Sequence, residues 1–283
     1  MVLETDVQSW LISQNSSYRD IKNKKPKRKA STIAVTSGKG GVGKTTISLK
    51  MSKVLSKMGY RVLLIDCDYN LSNTVVKLGI PVNNNFFKYI NKEKSLDDCI
   101  YKDGNFHLIS GCNGSLDLFN CSVKLENSIL EILGQKESCY DYILLDCPAG
   151  ISKENLIINA YCDYRIVVVV PDKSSITDSY SLIKILSLNH GIHSNHLLLN
   201  KITSKKQYNK IVKSLGDTVQ NFIDCRLNIL GGIPSEKNST ELFEEIIFNT
   251  EKTKLHEKFC NVIKKFTDEA SRTPCDLGRQ NFF

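Results

Sequence analysis

No apolar run in this 283-residue chain is long enough to cross a bilayer; the longest, Ile166 to Val170, stops at Pro171. The N-terminus carries Glu4 and Asp6 and lacks an apolar signal core, which argues against export. The ten cysteines include no Cys-x-x-Cys pair, and Cys260 and Cys275 are too far apart to supply one near the C-terminus. Without such pairs an iron–sulfur carrier loses its support, and reduced, buried thiols in a cytoplasmic protein are the better reading. Tryptophan occurs once, as Trp10. A hydrophobic content of 41% is enough for one sizeable core.

Charge is unevenly spread. Lys22, Lys24, Lys25, Lys27, Arg28 and Lys29 supply six of the net eight positive charges, with no acid among them. Such a run around Pro26 neither packs nor forms a stable helix, so residues 1–30 read as a flexible extension ending in a basic tether. The tether is either simply solvated or an electrostatic contact with nucleic acid, anionic lipid or an acidic partner.

What the chain does have is a glycine-rich loop, Gly38-Lys39-Gly40-Gly41-Val42-Gly43-Lys44-Thr45-Thr46. The glycines let the backbone curl until successive N–H groups face phosphate oxygens. Lys44 is placed to reach the β- and γ-phosphates, and Thr45 to hold Mg²⁺. The flanks agree with that reading. Thr32 to Thr36 is a short β-branched run suited to a buried strand, and Ile47, Met51, Val54, Leu55 and Met58 recur at helical spacing before a Gly59 cap. A helix opening on the loop adds its positive dipole end to the anion site.

Further apolar runs follow at Arg61–Ile65, Tyr142–Leu145, Arg165–Val170, His196–Leu199 and Leu227–Ile233. Each ends in polar or special residues: Asp66 and Asp68, Asp146, Asp172, Asn200-Lys201, and Pro234. Polar clusters past the carboxyl ends of apolar strands are where open α/β sheets bind ligands. The expected fold is therefore α/β, a doubly wound and mostly parallel sheet of the P-loop NTPase kind.

The Lys39-to-Thr46 string resembles the deviant phosphate-binding loop of the MinD/ParA ATPases. Asp66-x-Asp68 with Asn73 resembles their first switch, and Asp146-Cys147-Pro148-Ala149-Gly150 their second, over roughly residues 31 to 265. Pro171 to Tyr180, followed by Leu182-Ile183-Lys184, is most similar to the FlhG group (also called YlxH or FleN), which controls flagellar number and placement. The resemblance implies ATP and Mg²⁺ as cofactors and a homodimer bridged by ATP. It casts Lys39 as a cation acting across that dimer, with Lys44 beside it, and Asp68 as the group orienting the attacking water. Asp146 and Asp66 join Thr45 around the metal. Asn200 would meet the adenine edge, and Pro234 would complete the nucleotide pocket. Position 203, where a guanine-type Asn-Lys-x-Asp needs aspartate, holds Thr203.

The resemblance also has departures. Asp172 stands where the family usually has glutamate, and Tyr69-Asn70 after Asp68 replaces the Pro-Gln of ParA-type switches. The stretch Asp6 to Ile12 is a poor match to the FlhG segment that activates the partner GTPase FlhF. A FlhF-like GTPase or a flagellar switch component stays the expected partner, with cell-division and DNA-partition roles as alternatives. Trp10 either docks a partner or packs back on the domain. Leu255, Phe259, Val262, Ile263 and Phe266 share one helical face flanked by lysines, so 253–267 either closes the core or lies on the inner face of the membrane. The ATPase domain is expected over 31–268, with 269–283 a flexible tail.

Overall fold

A computed structural model describes residues 29–68, 74–80, 85–110, 125–236, 240–249 and 253–272. Trp10, the tether as far as Arg28, Asn73 of the first switch and the tail beyond Arg272 lie outside the described residues.

Eight strands form one sheet: β1 (Ser31–Ser37), β2 (Val62–Asp66), β3 (Tyr101–Asp103), β4 (Phe106–Ile109), β5 (Tyr142–Ala149), β6 (Tyr164–Val169), β7 (Ser194–Ile202) and β8 (Arg226–Pro234). Their order is β3-β4-β2-β5-β1-β6-β7-β8. Every pairing is parallel except that of β3 with β4. The β3–β4 hairpin is an addition to the six strands read from the sequence. Its members span three and four residues about Gly104, too short for a periodic signal.

Helices cover both faces: α1 (Lys44–Lys57), α2 (Thr74–Leu78), α3 (Asn85–Ile90), α4 (Leu96–Cys99), α5 (Leu125–Lys136), α6 (Lys153–Tyr161), α7 (Lys173–His190), α8 (Lys205–Phe222), α9 (Thr240–Asn249) and α10 (Lys254–Arg272). Side chains alternate along a strand, so each buried run serves two cores. Ile33 and Val35 of β1 join α1, α9 and α10 on one face. Ala34, between them, packs on the other with α5 and α6, and α7 and α8 continue that layer beneath β6 and β7. Helix α1 ends as expected, Gly59 taking φ 93° and the Tyr60 N–H reaching back to the Leu55 carbonyl.

Two expected boundaries move. Lys29 pairs with Glu137 at 3.3 Å and Ala30 is buried, so the end of the tether belongs to the packed domain. At the other end α10 runs to Arg272, past the boundary expected at 268. The apolar stripe of α10 packs on the core: Leu255, Phe259, Val262, Ile263 and Phe266 are all buried against β8 and α1. Burial of these five side chains is worth on the order of 10 kcal/mol. Presenting 253–267 to a bilayer would forfeit that, so core packing is the role this structure gives the segment. No described helix is long and apolar enough to cross a membrane.

Candidate nucleotide-binding site

The loop from Gly38 to Gly43 joins β1 to α1 at the carboxyl end of the sheet, where β5 and β6 flank β1. Two of its glycines are required by close approach. A Cβ on Gly38 would lie 2.2 Å from the Asp178 backbone carbon of α7, and one on Gly43, at φ 94°, would lie 2.6 Å from Asn200 Nδ2. Gly43 caps α1 with no side-chain hydrogen bond, which leaves the first N–H groups of the helix facing the loop.

Lys44 projects inward. Its Nζ donates to Ser37 Oγ at 3.1 Å, and the Ser37 hydroxyl in turn donates to the Lys39 carbonyl at 2.6 Å. Burial lowers the Lys44 pKa, and Asp146, Cys147 and Asp68 oppose that shift. Lys39 points elsewhere. Its side chain is 40% exposed, and its Nζ rests on Asp172 Oδ1 at 3.1 Å and Ser174 Oγ at 2.7 Å. Asp172 also caps α7 through the Ser175 N–H; that bond, the Ser174 hydroxyl and Lys39 hold its carboxyl down to about 2.

The two strand-end carboxylates are brought side by side. Asp66 and Asp146 are register partners across β2 and β5, and both are buried. Thr74 Oγ1 donates to Asp66 Oδ2 at 2.8 Å, and the Asp68 N–H to Asp66 Oδ1 at 3.0 Å. Ser48 Oγ donates to Asp146 Oδ1 at 3.0 Å, and Thr45 adds a second hydroxyl bond. Burial, followed by the Asp66 charge, pushes Asp146 up to about 7. Two buried carboxylates bonded mainly to hydroxyls, beside a phosphate loop and Thr45, are an oxygen donor set with excess negative charge. That suits Mg²⁺, which takes one or two carboxylates and keeps its other ligands from water and phosphate.

The sequence placed Asn200 at an adenine edge. In the structure its amide holds the loop, Nδ2 donating to the Val42 carbonyl at 2.7 Å. Pro234 is the register partner of Ile202 on the adjoining strand, two residues along from Asn200. Gly40, Gly41 and Thr46 lie where the motif requires, in the loop and the first turn of α1. Ser37, Ser48 and Thr74 were not anticipated, and Lys201 was read only as a strand-end polar residue. Ser48 lies three residues after Thr45 on α1, the one spacing signal that could have found it.

A parallel sheet with a phosphate loop at its switch point, an inward lysine and paired strand-end carboxylates defines the class of P-loop nucleotide-binding proteins. Residues 30–212 match the family model described as an AAA domain. The chain is 31% identical over 220 residues to the septum site-determining protein MinD of Neisseria meningitidis, covering 74% of this chain and 80% of that one. It is 33% identical over 207 residues to the flagellum site-determining protein YlxH of Helicobacter pylori, covering 71% and 68%. Its fold matches the MinD of Pyrococcus horikoshii complexed with Mg-ADP at TM-score 0.70 and 22% identity, over 85% of this chain and 97% of that one. The chain belongs to the MinD/ParA family of P-loop ATPases, with FlhG-type proteins among its relatives. Its cofactors are ATP and Mg²⁺.

Proposed function

We propose that this ATPase is a slow, dimerisation-dependent switch that regulates flagellar number or placement. The observation that carries the reading is the divergence of its two loop lysines. Lys44 lies inside its own loop, whereas Lys39 lies at the surface on Asp172 and Ser174. A cation placed there is available to the nucleotide of a second copy. Bound Mg²⁺ neutralises charge that develops on the phosphate oxygens. Thr45, Asp66 and Asp146 are the residues that would hold it. Lys44 binds the terminal phosphates, and Asp68 orients the attacking water. With only one such lysine per pocket hydrolysis stays slow, and a second arrives on dimerisation, linking turnover to assembly.

The resemblance of Pro171 to Tyr180 to the FlhG group supports the flagellar role, as does the relative named for flagellum placement. The relative named for septum placement supports a cell-division role equally. A protein partner, an FlhF-like GTPase or a flagellar switch component, would read the ATP-bound dimer. In the test, Lys39→Ala should keep monomeric ATP binding while its turnover falls at least about 100-fold and no longer rises with protein concentration. Normal, concentration-dependent turnover in Lys39→Ala contradicts the trans-acting role. An Asp68→Ala protein held with ATP should then capture the partner, and capture of division components alone would replace the flagellar reading.

A further inference from the structure

Two consecutive residues near the carboxyl end of β7 hold the phosphate loop from behind. Asn200 Nδ2 donates to the Val42 carbonyl at 2.7 Å, and Lys201 Nζ to the Gly41 carbonyl at 3.0 Å. Consecutive residues thus grip consecutive peptide oxygens. The grip depends on an unusual backbone: Lys201 takes φ 57°, a left-handed conformation that side chains disfavour. Asn200 Oδ1 supports it by accepting the Lys201 N–H at 2.9 Å. Only glycine at position 43 leaves room for the Asn200 amide.

A trans peptide is planar, with its C=O and N–H on opposite sides. Fixing the Gly41 and Val42 oxygens outward therefore fixes the N–H groups of Val42 and Gly43 inward, toward the anion. We propose that Asn200 and Lys201 are positioning residues that pre-set these two amides for the nucleotide's phosphates, a role separate from any contact of Asn200 with the base. Resting on the assignment of this site to ATP, the inference adds a source of affinity that is blind to the base. It applies alike to adenine nucleotides, guanine nucleotides and bare triphosphate.

Calorimetric titration of the full chain with the Mg²⁺ complexes of ATP, GTP and tripolyphosphate separates the outcomes. Lys201→Gly suits the left-handed backbone and removes the side chain that carries the amine. It should keep its melting temperature and lose about tenfold in affinity for all three ligands, in line with one charge-assisted hydrogen bond. Lys201→Arg should recover most of that loss. Asn200→Ala should weaken all three, the base-free tripolyphosphate included. An Asn200→Ala protein that loses ATP alone would make Asn200 a base reader and overturn the inference. So would Lys201→Gly binding all three like the wild type, a result that stands even where Asn200→Ala fails to fold. Wild-type protein that binds none of the three would overturn the nucleotide-site assignment and the inference with it.

Discussion

Buried charges occur at both ends of the sheet, and the two ends treat them differently. At the amino end Asp163 Oδ2 accepts the Thr32 N–H at 2.9 Å and its hydroxyl at 2.8 Å. Arg165, buried beside it, donates to the carbonyls of Asn159, Cys162 and Asp163. Opposite charges there are matched within the protein. At the carboxyl end Asp66 and Asp146 carry the same sign and lie side by side as register partners. Hydroxyls and the nearby Lys44 only partly offset the repulsion. One end is a closed structural network, and the other holds charge that a bound cation would relieve.

The comparison sharpens under mutation. Asp146→Asn should cut Mg²⁺-dependent ATP turnover by about 10³-fold, or ~4 kcal/mol of transition-state stabilisation, while the metal-free protein melts no lower than the wild type. A fall in both would mean that the carboxylate pair is structural. Arg165→Met should do the reverse, costing about 3 kcal/mol in urea unfolding because three carbonyls lose their donor and the Asp163 carboxylate loses a nearby positive charge. Its Mg²⁺-ATP affinity, measured on folded protein, should not change.

A smaller effect follows from pH. In the metal-free protein the Asp146 carboxyl is raised from about 3.8 to about 7, so the folded state holds a proton that the unfolded chain has released. That contribution to stability is fully present below about pH 3.8 and is lost as pH rises through about 7. Mg²⁺ must displace the same proton, so Mg²⁺-ADP affinity should rise about tenfold per unit between pH 6 and 7 and then level off. A flat profile over that range would break the link between the carboxylate pair and the metal.

Much of this was legible in the sequence, for identifiable reasons. The loop, its flanking strand and α1 carry strong local signals, because a phosphate cradle needs glycines in fixed places and a helix to follow. The six long strands betray themselves as β-branched runs ending in polar residues. The stripe of α10 was visible as a face, but sequence periodicity cannot say what covers a face; β8 and α1 do. Asn200 was found as a site residue, but its bond to the Val42 carbonyl was not foreseen, because the residue type does not reveal that an amide also turns to the loop. Thr74 left no signal, since its contact with Asp66 exists only after folding, and Lys201 showed only as a strand-end polar residue, its left-handed turn being invisible in the sequence.

The proposed central act is the meeting of two protomers around ATP, each bringing its Lys39 to the other. Light scattering of the full chain with Mg²⁺ and a non-hydrolysable ATP analogue tests it most directly. The expected result is a two-protomer mass for the wild type and a one-protomer mass for Lys39→Ala. A single-protomer mass for the wild type with its site saturated would contradict the account.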